Sequence, residues 1–206
     1  LKVRWIDLIM ALIGLILGQA IFIQGLAPFG IAFLLIFVNL HPQRLILIGL
    51  GVGAGSIIGR GWTGLGIMVV VALGIYLIRL LDNKIKHQAI KGAIIAGLVF
   101  SFHMLRFLAN QSDLYPLIMG ILDASLVFLM GWLFVEGLTG LVTGTERQIS
   151  KNNVLALLFI LTGLLSGIPE LTIAGIKTTP ILMKVILLVI AYVGGITEAM
   201  ALGLSL

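Results

Sequence analysis

The sequence predicts an all-α fold, a polytopic transmembrane helical bundle of about eight spans that forms one multi-span membrane domain over residues 1–206. Hydrophobic residues make up 60% of the chain and charged residues only 10%, whereas soluble domains carry about 25% charged residues. The mean hydropathy is +1.23. Long apolar runs also recur from one end to the other, and a helix needs roughly 20 apolar residues to cross about 30 Å of hydrocarbon.

The spans predicted in the first half follow the apolar runs between short polar breaks. Ile6–Ile23 is span 1, which we interpret as uncleaved because further spans follow it without a small-residue cleavage site. Phe29–Leu40 is span 2 and would cover only about 18 Å as a helix. It must therefore be short, tilted into packed protein, or extended by its neighbours. Leu45–Gly59 and Leu65–Leu81 form a hairpin of spans 3 and 4.

The second half contains longer apolar runs. Gly92–Leu108 is span 5, and Leu114–Val142 is span 6. A helix over that run would be about 43 Å long, so span 6 either tilts steeply or leaves the membrane near Glu136. Val154–Ile168 is span 7, and Ile181–Leu206 is a last apolar segment. Because the chain ends in this apolar run, we expect it to have been cut from a longer protein with any soluble part after it.

The polar loop Asp82–Lys91 organises the topology, because basic residues close to span ends are retained in the cytoplasm. With a cytoplasmic N-terminus, nine basic residues lie inside and four lie at the outer ends. The inner set is Lys2, Arg4, Arg44, Arg79, Lys84, Lys86, Lys91, Arg147 and Lys151, and the outer set is Arg60, Arg106, Lys177 and Lys184. The sequence therefore predicts a multi-pass cell-membrane protein with an inner N-terminus, and places the second polar loop, Thr145–Asn153, in the cytoplasm.

Composition and motifs exclude several function classes. The formal net charge is +5, but the basic residues sit in short loops between spans and set topology, so no nucleic-acid partner is predicted. The chain has no cysteine, which excludes disulfides, thiolate metal sites and a cysteine nucleophile. It also lacks a zinc-protease motif, a phosphate-binding glycine loop and a nucleophile elbow. No catalytic, cofactor-binding or metal-binding residue is predicted, so an enzyme active site is not expected within this chain.

Five ionisable residues are predicted to lie within the membrane, where a charge costs several kcal/mol on some scales and suggests a function. They are His103, Arg106, Asp123, Glu136 and Glu198. Asp123 and Glu136 lie nearly four helical turns apart and cannot form a carboxylate pair on one helix. Asp123 is either neutral or paired with Arg106 or His103, and structural pairing is favoured over a proton or ion path. For Glu198, an interfacial carboxylate at a glycine break is favoured over a binding site.

Small residues recur at helical spacing, which lets membrane helices approach closely. Eight glycines fall within residues 49–66, and we expect the face of Gly55 to hold the predicted hairpin together. Packing within one chain is favoured, and contacts between protomers of a homo-oligomer remain the alternative. The predicted packing residues are Gly14, Gly18, Gly51, Gly55, Gly59, Gly195, Ala199 and Gly203.

Several motifs near both ends of the chain resemble those of a known family. They are residues 14–20 (GLILGQA), 26–33 (LAPFGIAF), 153–167, 169–176 (PELTIAGI) and 191–195 (AYVGG). In order and spacing they resemble the N-terminal membrane region of the stage II sporulation protein E (SpoIIE) family of endospore-forming bacteria. The resemblance runs from about residue 8 to the end, and residues 60–150 match only in hydropathy.

The resemblance implies about ten spans, then a cytoplasmic central region and a serine/threonine phosphatase domain of the 2C type. Family members act at the polar division septum, bind the division protein FtsZ, and dephosphorylate an anti-anti-sigma factor to activate the forespore sigma factor. The manganese-binding residues belong to the phosphatase domain, so none is carried over to this chain. We therefore predict a membrane-anchoring and septal-localisation domain, with a small-solute or ion transporter, or a purely structural oligomerising scaffold, as alternatives.

Overall fold

The computed structural model describes residues 5–22, 25–38, 42–81, 87–109, 114–143, 151–168, 172–173, 176–177, 184–185 and 188. This part of the chain contains seven helices and one pair of two-residue strands. They are α1 (Trp5–Gln19), α2 (Pro28–Phe37), α3 (Pro42–Arg60), α4 (Trp62–Leu80), α5 (Gln88–Ala109), α6 (Tyr115–Thr143), α7 (Lys151–Gly167), β1 (Thr172–Ile173) and β2 (Ile176–Lys177). The strands pair antiparallel, with Thr172 opposite Lys177. The predicted helical character is confirmed, and this small hairpin is the exception to it.

The predicted number of about eight spans is not reached among the described residues. There, three helices are long and apolar enough to cross a membrane: α4, α5 and the Tyr115–Thr139 part of α6. Helices α1, α2 and α7 are apolar but shorter. Helix α3 has 19 residues, yet Gln43, Arg44 and Arg60, together with its five glycines, reduce its apolar content. The last predicted span, Ile181–Leu206, lies almost entirely outside the described residues, as do residues 82–86 and 145–150 of the two polar loops.

Helix α2 is enclosed by the rest of the bundle. All ten of its residues are buried, and its neighbours are α1, α3 and α6. A helix that is apolar on every face is stable only when it is surrounded by other apolar groups. Ten residues rise about 15 Å, roughly half of the hydrocarbon thickness. Of the alternatives that the sequence left open for this segment, the structure shows a short helix that packs into the protein.

The outer surface of the bundle is apolar. On α4, for example, Val69, Leu73 and Leu80 are 54%, 55% and 64% exposed. A soluble monomer rarely exposes large contiguous apolar patches, whereas lipid tails accept them. This surface, together with the three long apolar helices, is consistent with association with a membrane.

Helices α1 and α3 form the most extensive helix pair in the described structure. A methyl group added to Gly51 would overlap the carbonyl oxygen of Ala11, and one added to Gly55 would overlap that of Leu15. Small residues thus bring the two backbones into direct contact, and van der Waals packing holds the pair. The five predicted packing glycines in the first half of the chain all lie at this contact: Gly14, Gly18, Gly51, Gly55 and Gly59.

This geometry corrects one expectation about the glycines. The face of Gly55 does not hold the α3–α4 hairpin, because it packs against α1. The close approach of α3 to α4 is instead made by Gly64, which lies against the backbone of Ser56. Gly61 joins the two helices with a φ of +59°, a left-handed conformation that glycine adopts without steric cost. The predicted pattern at residues 195, 199 and 203 lies outside the described residues.

Candidate functional site

Three ionisable side chains from distant parts of the sequence meet inside the bundle. Asp123 Oδ2 lies 3.4 Å from Arg60 Nη1 and 3.3 Å from His103 Nε2. The side chains of Arg60, His103 and Asp123 are 4%, 7% and 0% exposed. One carboxylate oxygen therefore contacts the guanidinium of Arg60 and the imidazole of His103, and the three residues form what we call the buried charge cluster.

Three helix positions bring the cluster together. Arg60 is the last residue of α3, and Gly61 turns the chain away immediately after it. His103 lies on α5 and Asp123 on α6, and these two helices are in extensive contact. Gly120, one turn before the aspartate on α6, lies against the Cβ of His103. Any larger residue at Gly120 would push α5 and α6 apart and separate the histidine from its carboxylate.

The cluster does not satisfy all of its own polar atoms. Within the described residues, Arg60 Nε and Nη2, His103 Nδ1 and Asp123 Oδ1 are buried without a hydrogen-bond partner. A buried ion pair offsets its desolvation cost only when further hydrogen bonds satisfy the remaining donors and acceptors. The charge pairing is thus costly to maintain, and the cluster has capacity to bind one more polar group.

A cavity of about 260 Å³ adjoins the cluster. Arg60 and His103 line it, together with Arg106, and the hydroxyl-bearing residues Thr63 and Tyr115 complete its polar lining. Asp123 is not among the lining residues, so its carboxylate lies behind Arg60 and His103 as seen from the cavity. The cavity wall is therefore rich in hydrogen-bond donors and positive charge.

The described residues contain no group of three or more histidine, aspartate or glutamate side chains arranged to hold a metal ion. The cluster offers a single carboxylate, which already contacts Arg60 and His103. This arrangement suits charge pairing or anion binding better than metal coordination, because a cation would have to displace Arg60 from Asp123.

The structure distributes the predicted ionisable residues over three places. His103 and Asp123 are partners in the cluster, and Arg106 lines the adjoining cavity without forming an ion pair to a described residue. Glu136 lies further along α6 at an exposed position, where its Oε1 is 3.4 Å from Asn152 Nδ2. Glu198 lies outside the described residues.

Sequence reasoning missed Arg60 as a member of the site. It counted this arginine only as a basic residue at the outer end of a span, and expected Arg106 or His103 beside Asp123. The glycine-rich helix that ends at Arg60 was the relevant signal in the sequence, because the contacts of Gly55 and Gly59 with α1 place this end of α3 inside the bundle. A second ion pair, in which the arginine is half-buried, was also missed: Arg44 Nε lies 3.3 Å from Asp7 Oδ1 near the start of α3.

The family whose model is described as "SpoIIE, N-terminal domain" matches residues 1–204 of the chain. No curated protein and no solved structure matches the chain.

Proposed function

Because the chain belongs to the SpoIIE N-terminal domain family, a sporulation membrane region, we propose that it anchors a cytoplasmic serine/threonine phosphatase and positions it at the polar division septum. The phosphatase acts on an anti-anti-sigma factor and so activates the forespore sigma factor. It carries its manganese in its own domain, and the contact with the division protein FtsZ is made by cytoplasmic regions. The family match over nearly the whole chain is the observation on which this proposal rests.

One feature of the structure supports an anchoring role. The apolar outer surface of α4, α5 and α6 supplies the lipid-facing area that a stable anchor needs. The membrane region then contributes location and orientation, with a cytoplasmic N-terminus as predicted from the basic residues.

The transporter alternative is favoured by one observation, the buried charge cluster beside a cavity. Ionisable groups inside a membrane bundle are used in proton and ion pathways. A homo-oligomeric scaffold is less favoured, because the described glycine faces are occupied by contacts within one chain. Exposed apolar faces on α4 and α6 remain available to lipid or to a second copy.

A membrane-region swap tests the anchoring proposal. An unrelated multi-span anchor replaces this chain in the full-length protein, and the matched control reinserts the native region through the same junctions. Phosphatase turnover in solution should be unchanged by the swap, whereas septal placement and the timing of sigma-factor activation should be lost. Normal septal localisation and normal timing of sigma-factor activation in the swapped protein would show that this region acts only as a membrane tether.

A reconstitution experiment tests the transporter alternative separately. The chain is placed in liposomes that contain a pH-sensitive dye, and proton entry is followed after a pH step. Anchoring predicts the same proton leak as empty liposomes. Proton flux that disappears in an Asp123→Asn variant whose circular dichroism matches that of the native chain would favour a pathway through the buried charge cluster.

A further inference from the structure

We propose that the cavity beside the buried charge cluster binds a phosphate-class oxyanion, either free in solution or as part of a lipid headgroup. Arg60, His103 and Arg106 line it. Among the described residues, none of the lining groups is a carboxylate. This function is distinct from anchoring a phosphatase and does not depend on it.

The unpaired guanidinium nitrogens of the cluster support an anionic ligand. Arg60 Nη1 donates a hydrogen bond to Asp123 Oδ2, and Arg60 Nε and Nη2 have no hydrogen-bond partner among the described residues. A guanidinium presents five N–H donors in a fork that matches the oxygens of phosphate. Asp123 neutralises only part of the positive charge beside the cavity. Arg106 adds a second guanidinium to the cavity wall, and this guanidinium has no ion-pair partner among the described residues.

The size and position of the cavity restrict the kind of ligand that it can bind. Its volume of about 260 Å³ falls below the roughly 300–1,000 Å³ typical of pockets for drug-sized ligands, so it suits a small group. Arg60 ends α3, Thr63 lies at the start of α4, and Tyr115 begins α6. The cavity therefore lies at the ends of helices, a level that both dissolved anions and lipid headgroups reach.

Arg106 is the informative residue to change, because its removal leaves no described carboxylate without a partner. Binding of inorganic phosphate to the 206-residue chain in a neutral detergent is measured by isothermal titration. We expect one saturable site, with affinity at least about tenfold weaker in Arg106→Gln, since a hydrogen bond to a charged group is lost. Arg44→Gln is the matched control, because Arg44 pairs with Asp7 near the opposite end of α3, and it should bind phosphate as the native chain does.

A second experiment, with lipids, distinguishes free phosphate from the phosphate of a lipid headgroup. The chain is reconstituted with phosphatidylcholine and phosphatidylglycerol, returned to detergent, and its retained phosphatidylglycerol is counted by mass spectrometry. Retention that depends on Arg106 while inorganic phosphate fails to bind would assign the site to a headgroup. The proposal is overturned if neither ligand binds in an Arg106-dependent manner, or if Arg106→Gln and Arg44→Gln weaken binding equally. Circular dichroism of each variant confirms that the compared chains are equally folded.

Discussion

The contact between α1 and α3 makes a quantitative prediction at Gly55. A Cβ at this position would overlap the carbonyl oxygen of Leu15 and lie 3.0 Å from the backbone nitrogen of Gln19. Both atoms belong to the backbone of α1, so no side chain can rotate to make room. The two helices must move apart by roughly an ångström, and a gap of that size forfeits a quarter to a half of each van der Waals contact along the interface.

Gly53 on the same helix supplies the matched control. A Cβ there would meet only the terminal methyl group of Met68 at 3.8 Å, an ordinary contact. Gly→Ala in a helix gains up to about 1 kcal/mol from helix propensity, and this gain is common to Gly53→Ala and Gly55→Ala. The difference between the two variants therefore isolates the overlap at Gly55, for which we expect about 1–3 kcal/mol of destabilisation. Gly55→Leu should cost more than Gly55→Ala, because further atoms must be accommodated.

Equilibrium unfolding measures this difference. The chain in a neutral detergent is titrated with sodium dodecyl sulfate, and helix loss is followed by far-ultraviolet circular dichroism. We expect Gly55→Ala to unfold at a lower denaturant fraction than Gly53→Ala, and Gly55→Leu to reach the membrane in reduced amounts. Equal midpoints for the two alanine variants, or a Gly55→Leu chain with native stability and membrane level, would show that this face of α3 does not pack against α1.

Two further predictions concern the buried charges and the topology. Asp123→Asn should destabilise the chain by about 3–5 kcal/mol in the same unfolding assay, because it leaves Arg60 as an uncompensated buried charge. Joint replacement of both residues by leucine should recover part of the loss, and a stable single variant would argue against a buried pair. In intact cells, an impermeant thiol reagent should label a cysteine introduced at Gln111 but not one at Gln88 or Gln148, since the last two lie in the loops predicted to be cytoplasmic. The native chain has no cysteine to add background, and the reverse labelling pattern would invert the topology.

Hydropathy located the helices better than it located the membrane crossings. The run predicted as Leu65–Leu81 is the helix Trp62–Leu80, and Gly92–Leu108 lies within Gln88–Ala109. Apolar composition determines these segments because a helix satisfies its own backbone hydrogen bonds wherever apolar surroundings exclude water. It does not distinguish a helix that faces lipid from one enclosed by protein, so the ten buried residues of α2 were counted as a span.

The partner of a glycine face depends on the arrangement of the whole bundle. Spacing identified Gly51, Gly55 and Gly59 as a packing surface, because small residues at every fourth position share one side of a helix. It assigned that surface to the neighbouring helix in sequence, α4. The structure gives it to α1, where Gly14 and Gly18 provide the complementary face. Two facing small-residue patterns allow a closer backbone approach than one pattern facing larger side chains.

The sequence by itself determined the membrane class, the helical segments, the resemblance that the family match confirms, and the presence of ionisable residues in apolar surroundings. Each of these follows from local composition or from residue order. Only the tertiary structure decided that Asp123 contacts Arg60, which lies 63 residues away in sequence, and that Arg106 lines the adjoining cavity without contributing an ion pair among described residues. The interaction energy between two charges in a low-dielectric interior depends strongly on the distance between them. The short distances in this cluster exist only once α3, α5 and α6 have packed together.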